Sequence, residues 1–229
     1  MRDLAHKLAQ DDIGDLLHDF LFYQLHPDAT SATLNTLPEF EERVSIHPSA
    51  LAFFHAPSDL CGTEGISSER IRAVPIWQGG TGRYDCVYIT TSDAPGMLGL
   101  DVAQVDAFLS FTHQSKKYQC ALVSWFSRIG NQPDSNTGMW MVHADINEQR
   151  ERYRSVISLD SIVRAAHLIP IFGTEFTRRG LTPAHSLTTI FCGWYVNKFI
   201  DYHAFELAFW IQTIYDSCGH IVLISIRNP

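Results

Sequence analysis

Two long apolar runs joined by four polar residues constrain this chain more than any other feature. In "DVAQVDAFLSFTHQSKKYQCALVSWF", Asp101 to Phe126, alternate positions on both sides of His113 to Lys116 are mostly apolar. Strict alternation of apolar and polar residues would mark a strand with one wet face. Apolar residues at both parities mark strands covered on both faces. The stretch therefore predicts a long hairpin turning around His113 to Lys116, buried between other layers. Val105, Ala107, Leu109 and Phe111 are expected on its inner face, with Gln104 and Asp106 outward, because a one-residue slip would bury Asp106.

The second run continues through a polar segment into a third. In "KYQCALVSWFSRIGNQPDSNTGMWMV", Gly130, Asn131, Pro133, Asp134, Asn136 and Gly138 form a turn-rich loop before Met139 to Val142 resume an apolar strand. Cys120 and Trp125 are expected within adjacent strands of the β module, the cysteine as a small, buried and inert hydrophobe. Asp134 is expected at an exposed loop tip, its carboxylate satisfied by local N–H groups and water.

Around this hairpin the chain supplies further short strands. "VSIHPSALAFFHAPSDLCG" gives two, split by Pro48 and ended by Pro57. Cys61 to Gly82 is read as loop-rich, with a charged turn at Ser67 to Arg72. "YDCVYITT", "RSVISL" and "DSIVRAAHLIPIFG" add strands, for a total of about six to eight between residues 44 and 172. Leu4, Leu8, Ile13, Leu16, Leu17, Phe20, Leu21 and Leu25 recur at helical spacing and stop at Pro27. A helical pattern returns from Gly193 to about Tyr215, with Trp194, Phe199, Phe205, Phe209 and Trp210. The expected fold class is α+β and mainly β: a small antiparallel β-barrel or sandwich-like module flanked by an N-terminal and a C-terminal helix. Its divisions are an amphipathic helix over 1–27, a linker over 28–43, the β module over 44–175, and a helical segment with a divergent tail over 176–229.

Composition narrows the function classes. The 229 residues are 45% hydrophobic and 18% charged, enough to bury a core without staples. Five cysteines with no CxxC pair argue against a zinc ribbon or a disulfide framework. The net charge of −8 offers no global basic field. The opening residues lack an apolar h-region, and Glu206, Gln212, Asp216 and His220 interrupt the apolar stretch near the C-terminus, so neither secretion nor a membrane span is expected.

No catalytic, metal or cofactor signature stands out, and no small-molecule substrate is evident. "QGGTGRYD" has phosphate-loop glycines but lacks the GK[ST] ending and precedes a strand, so it reads as a turn. His203 and Glu206 share a helix face without further metal ligands at a recognisable spacing. Cys86/His113 and Cys120/His167 are the pairs a Cys–His hydrolase would use, which is the alternative function. The candidate partner-binding residues are the basic Lys116, Lys117, Arg150, Arg152 and Arg154 with the aromatics Trp77 and Trp140. Arg178 and Arg179 form a further basic pair. Aromatics at a barrel mouth would also suit a methylated lysine through cation–π attraction.

Six stretches, "HPSALAFFHAPSDLCG", "ERIRAVPIWQGGTGRYDCVYI", "GLDVAQVDAFLSF", "CALVSWFSRIGNQPDSNTGMW", "ISLDSIVRAAHLIPIFG" and "YVNKFIDYHAFELAF", together resemble the C-terminal region of Plavaka-type fungal transposases, which are related to the CACTA superfamily. The resemblance runs in order over nearly the whole chain. It implies a non-catalytic accessory β module, because that family's RNase H-like core and its acidic triad lie upstream of the matching region. It further implies a nuclear location, with a cytoplasmic one as the alternative, and DNA, chromatin or transposase subunits as partners. Family members carry arginines where this chain has Gln104 and Asp106, which weakens phosphate contact at that strand.

Overall fold

The computed structural model describes residues 2–27, 40–56, 65–148, 151–172, 191–208 and 223–226. Thirteen strands lie among them: β1 (Ser45–His47), β2 (Ser49–His55), β3 (Ile66–Val74), β4 (Arg83–Tyr84), β5 (Cys86–Thr90), β6 (Leu100–His113), β7 (Lys116–Arg128), β8 (Trp140–Ala144), β9 (Arg154–Ser158), β10 (Ile162–Ala166), β11 (Leu168–Pro170), β12 (Trp194–Val196) and β13 (Leu223–Ile226). Three helices accompany them: α1 (Arg2–Leu8), α2 (Ile13–Leu25) and α3 (Tyr202–Ala208). The protein is mainly β, as expected, with helices near both termini.

The predicted hairpin is the spine. β6 and β7 pair from His113↔Lys116 down to Val102↔Phe126. Gln114 (φ 48°) and Ser115 (φ 65°) make the two-residue turn with both residues left-handed, the geometry that matches strand twist. Neither is glycine, so the long ladder holds a turn that is locally unfavourable.

The lower half of the spine belongs to a nearly closed ring. Hydrogen-bonded neighbours run β10-β5-β6-β7-β8-β12-β11, all antiparallel. β10 and β11 are halves of one bent strand, parted only by His167, so the two ends of this order meet in the chain itself. Tyr88, Val102, Phe126, Val142, Ala166 and Trp194, one from each wall, fill the interior. A second sheet, β13-β2-β3-β4, lies on the outside of one wall. Ala50, Ala52, Phe54, Ile71 and Ala73 from this sheet pack against Val87, Ile89, Ala103, Val105 and Val123 from the ring. The chain passes directly from one sheet to the other at Pro48 and at Asp85, and it returns to the second sheet once more between β12 and β13. Proline suits the first crossing because it has no N–H to offer a ladder.

The upper half of the spine carries the N-terminal helices. The expected single helix is two, broken at Ala9 (φ 48°). Leu4, Ile13, Leu17, Phe20 and Leu21 cover Leu109, Phe111, Tyr118, Cys120 and Leu122. Phe40, from the expected linker, joins them edge-on to Phe111 at 5.0 Å.

Other expectations change. Eleven strands, not six to eight, fall between residues 44 and 172. The segment read as loop with a charged turn is β3, whose inward residues include Glu69, Ile71 and Ala73. Trp194 lies on a strand, and the helix after it starts only at Tyr202. The expected continuation of that helix to about Tyr215 falls outside the described residues.

The face assignment of β6 also changes. The register steps from Val105↔Val123 to Ala107↔Leu122, leaving Asp106 as an extra, unpaired residue. Such a bulge reverses the alternation beyond it. Val105 therefore faces the second sheet, while Ala107, Leu109 and Phe111 face the helices. Gln104 and Asp106 are half-buried and line a cleft rather than turning fully outward.

Cys120 and Trp125 lie on one strand, β7, rather than on adjacent strands, because no turn interrupts the run between them, and Cys120 is fully buried. Burial pushes its thiol up to about 12. Cys120→Ala is expected to cost roughly 1 to 2 kcal/mol in urea unfolding, as small core truncations do. Iodoacetamide should modify the exposed Cys192 and spare Cys120 in the folded chain. Rapid alkylation of Cys120 would contradict this account. Asp134 closes its loop by accepting the N–H of Asn136 at 3.2 Å and both the N–H and hydroxyl of Thr137 at 2.9 Å. The backbone and hydroxyl of Thr137 hold that carboxyl below its ordinary value.

One ion cluster ties three layers together. Arg164 on β10 is 5% exposed. It donates to Asp201 at 2.8 and 2.6 Å and to Glu69 of β3 at 3.3 Å, and its guanidinium lies over Phe54 of β2 at 4.5 Å. His203 stacks on Phe54 at 4.8 Å, with Nδ1 3.2 Å from Arg164. Ring, second sheet and α3 thus share a single cation.

Candidate partner-binding surface

On β3, alternation sends Ile71 and Ala73 inward and leaves Arg70 and Arg72 on the far face of the second sheet. They stand opposite Leu51 and Ser49 of β2. Arg70 donates to Ser49 Oγ at 3.1 Å. The turn after β3 brings Trp77 back over this face. Its ring receives Arg72 at 4.6 Å and Arg83 of β4 at 5.4 Å. Asp85 braces the arrangement, accepting from Arg83 Nε at 2.8 Å and from the Arg72 N–H at 2.9 Å. Neither Arg70 nor Arg72 forms an ion pair with a carboxylate among the described residues. Ile76 projects beside them, 70% exposed.

The glycines of "QGGTGRYD" serve this turn, which leads into a strand as expected. Gly79 takes φ 75°, and a Cβ on Gly82 would sit 2.7 Å from the Tyr84 ring and 2.9 Å from the Val74 carbonyl. Only glycine lets the two arms approach so closely.

A cleft of about 480 Å³ opens beside the hairpin, between Lys7, Ala73, Tyr84, Gln104, Asp106 and Arg154. The bulge aims Asp106 into it. Asp106 accepts from Ser124 Oγ at 2.6 Å and pairs with Arg154 Nε at 3.2 Å. Burial pushes this carboxyl up from its ordinary value, opposed by the Ser124 hydrogen bond and the Arg154 charge. Arg154 also donates to Gln10, which ties the break between α1 and α2 to the cleft.

The sequence-selected residues are spread over the molecule. Lys116 and Lys117 stand at the hairpin tip, Lys116 over the Tyr118 ring at 4.9 Å. Arg154 pairs with Ser124, roughly 20 Å along β7 from Lys117. Arg152 is spent internally, its guanidinium over Phe126 at 4.6 Å and one nitrogen on the Trp125 carbonyl at 2.9 Å. Arg150, Arg178 and Arg179 lie outside the described residues. Trp140 is buried inside the ring, with Arg128 over it at 5.9 Å. Of the described candidates, only Trp77 joins the arginine face. Arg70, Arg72 and Arg83 were missed. Their signal was the alternation in "ISSERIRAV", which puts both β3 arginines at one parity.

The Cys–His pairs are not brought together. Cys86 pairs with Gln104, and His113 stands at the far end of the same strand, roughly 30 Å on. His113 bonds Glu42 at 2.9 Å, and His167 bonds Asn197 at 3.1 Å. Cys120 meets Leu109 and Ser158 across its neighbouring strands. Burial pushes the Cys86 thiol, too, up to about 12. His203 turns inward to Phe54 and Arg164, and no cluster of three or more His, Cys, Asp or Glu suited to a metal occurs among the described residues. No described helix is long and apolar enough to cross a membrane.

Comparison with protein-family models, curated proteins and solved structures finds no match to this chain.

Proposed function

We propose that this protein is a non-catalytic binding module that holds nucleic acid on the far face of its second sheet. The carrying observation is the gathering of Arg72 and Arg83 on the Trp77 ring, with Arg70 two residues along the same strand. Guanidinium groups neutralise phosphates, and an indole among them offers a stacking surface to a base. The net charge of −8 makes a local concentration of arginines more telling, because the rest of the surface repels a polyanion. The resemblance to the C-terminal region of Plavaka-type transposases supports DNA as the nucleic acid, a nuclear location, and descent from an accessory part of such an enzyme.

Anisotropy of a labelled oligonucleotide across a salt series tests this. The full chain should bind at low salt, more weakly as salt rises. Each lost phosphate contact lowers the slope of log K against log salt by about 0.9 on duplex or 0.7 on single strands. R70Q/R72Q/R83Q should therefore flatten the slope by roughly 2 to 3. Trp77→Ala should weaken single-strand binding with little change in slope. A triple variant that binds like the parent, or a parent that binds nothing at low salt, would sink the proposal.

A further inference from the structure

The upper half of the β6–β7 hairpin presents a second polar surface. Phe108 and Ala121 belong to one face of the spine, and both lie in the core between the sheets. Further toward the tip the same face carries Ser110 and Gln119, then Thr112 and Lys117. β1 lies alongside, with Ser45 opposite Ser110 and His47 opposite Phe108. His47 and Ser110 are each 6% exposed, and the imidazole Nε2 lies 2.8 Å from Ser110 Oγ. Arg43, just before β1, completes a groove of about 390 Å³.

We infer that this groove is a binding site for a tetrahedral phosphate group, held by Arg43 and Lys117 with the Ser45, Ser110 and Thr112 hydroxyls and His47 around it. Neither Arg43 nor Lys117 forms an ion pair with a carboxylate among the described residues. Glu42, the one acidic residue lining the groove among the described residues, is engaged by His113 at 2.9 Å. Two cations and several hydroxyls arriving from three chain segments offer more donors than two carboxylate oxygens accept, and they suit the acceptors of a phosphate. An arginine fork with a lysine point charge is a common pairing on such an anion. Burial, with the Lys117 charge, holds His47 below its ordinary value, and Ser110 fixes the ring at the groove. A bound dianion would reverse the charge balance that His47 feels. The groove uses none of the three arginines of the proposed nucleic-acid face, so each reading stands or falls separately.

The test is a titration of the full-length chain with inorganic phosphate, followed by the His47 ring resonances in NMR spectra. Saturable movement of those resonances is expected. R43Q/K117Q should weaken binding about tenfold or more, the loss of charge-assisted hydrogen bonds. K116Q removes an equal charge one residue away and should change binding less than about twofold. R70Q/R72Q/R83Q should leave it intact, and the dispersion of each spectrum reports that the variant is folded. A nucleoside 5′-monophosphate distinguishes the sources: tighter binding than inorganic phosphate assigns a terminal nucleotide phosphate, and equal or weaker binding assigns the free anion. If neither ligand moves His47, or K116Q weakens binding as much as R43Q/K117Q, the groove is not a phosphate site.

Discussion

Replacing Arg164 with alanine is expected to cost about 3 to 5 kcal/mol of folding stability near neutral pH, the penalty for stranding buried charges without their partner. Two carboxylates depend on this guanidinium. At Glu69 burial outweighs Arg164, and the carboxyl is pushed above its ordinary value. At Asp201 burial acts the same way, but the hydrogen bonds from Arg164 and from the Ala204 N–H prevail and hold it below. In the parent, Asp201 thus contributes stability that is present above its unfolded value and lost as pH falls through its folded value. Without Arg164 both folded values should lie above the unfolded ones. Their stability is then present at low pH and lost as pH rises through the folded values. The deficit of R164A should therefore shrink in acid and grow toward neutrality, read from urea midpoints across that range. Adding E69Q and D201N to R164A should recover part of the loss at neutral pH. A deficit that is small or independent of pH would mean that the cluster does not hold the layers together.

Deleting Asp106 should leave the native packing in place, although it shortens a core strand by one residue. Without the surplus residue Ala107 follows Val105 directly, as Leu122 adjoins Val123 on β7, so the ladder becomes regular and every neighbour keeps its face. Val105 stays toward the second sheet, and Ala107, Leu109 and Phe111 stay toward the helices. What is lost is the Ser124 hydrogen bond and the partly exposed Arg154 pair, at about 1 to 2 kcal/mol. Asp106→Ala gives up the same contacts and should cost a similar amount. Near-UV circular dichroism checks both variants, which should keep the tryptophan signals. A deletion variant that loses them, while the substitution keeps them, would show that the bend made by the bulge is itself required for packing.

Both results rest on features that the sequence displays unevenly. The hairpin was legible because thirteen or more residues on each side of one polar turn leave few alternatives to pairing. The break between β1 and β2 was legible at Pro48, which lacks an N–H. β3 was not, since "SSER" has the composition of a turn. Glu69 points inward there only because Arg164, 95 residues away, waits to receive it. The bulge has no local signature either. Asp106 looks outward whether or not it is paired, and only the register of β7 reveals the surplus. β12 has three residues, too few for any periodicity to separate it from the helical pattern that follows. At the candidate surface Trp77 was visible as an aromatic in a glycine turn. Its arginine neighbours became visible only once β3 and β4 were paired.

Closure of the ring also bears on how the molecule meets other copies of itself. An open sheet ends in a row of unsatisfied N–H and C=O groups that can recruit a foreign strand. Here the bend at His167 turns what would be the first and last strands into one, and the N–H of Asn197 caps the carbonyl at the bend at 2.8 Å. Among the described residues β1, β4, β9 and β13 have a neighbour on one side only, and they are three, two, five and four residues long. Templates of that length hold an incoming chain poorly. β4 covers Ala73 and Val74 of β3, which leaves Ile66 to Arg72 with a neighbour on the β2 side alone. That longer border carries Glu69, Arg70 and Arg72, so charge guards it where topology does not.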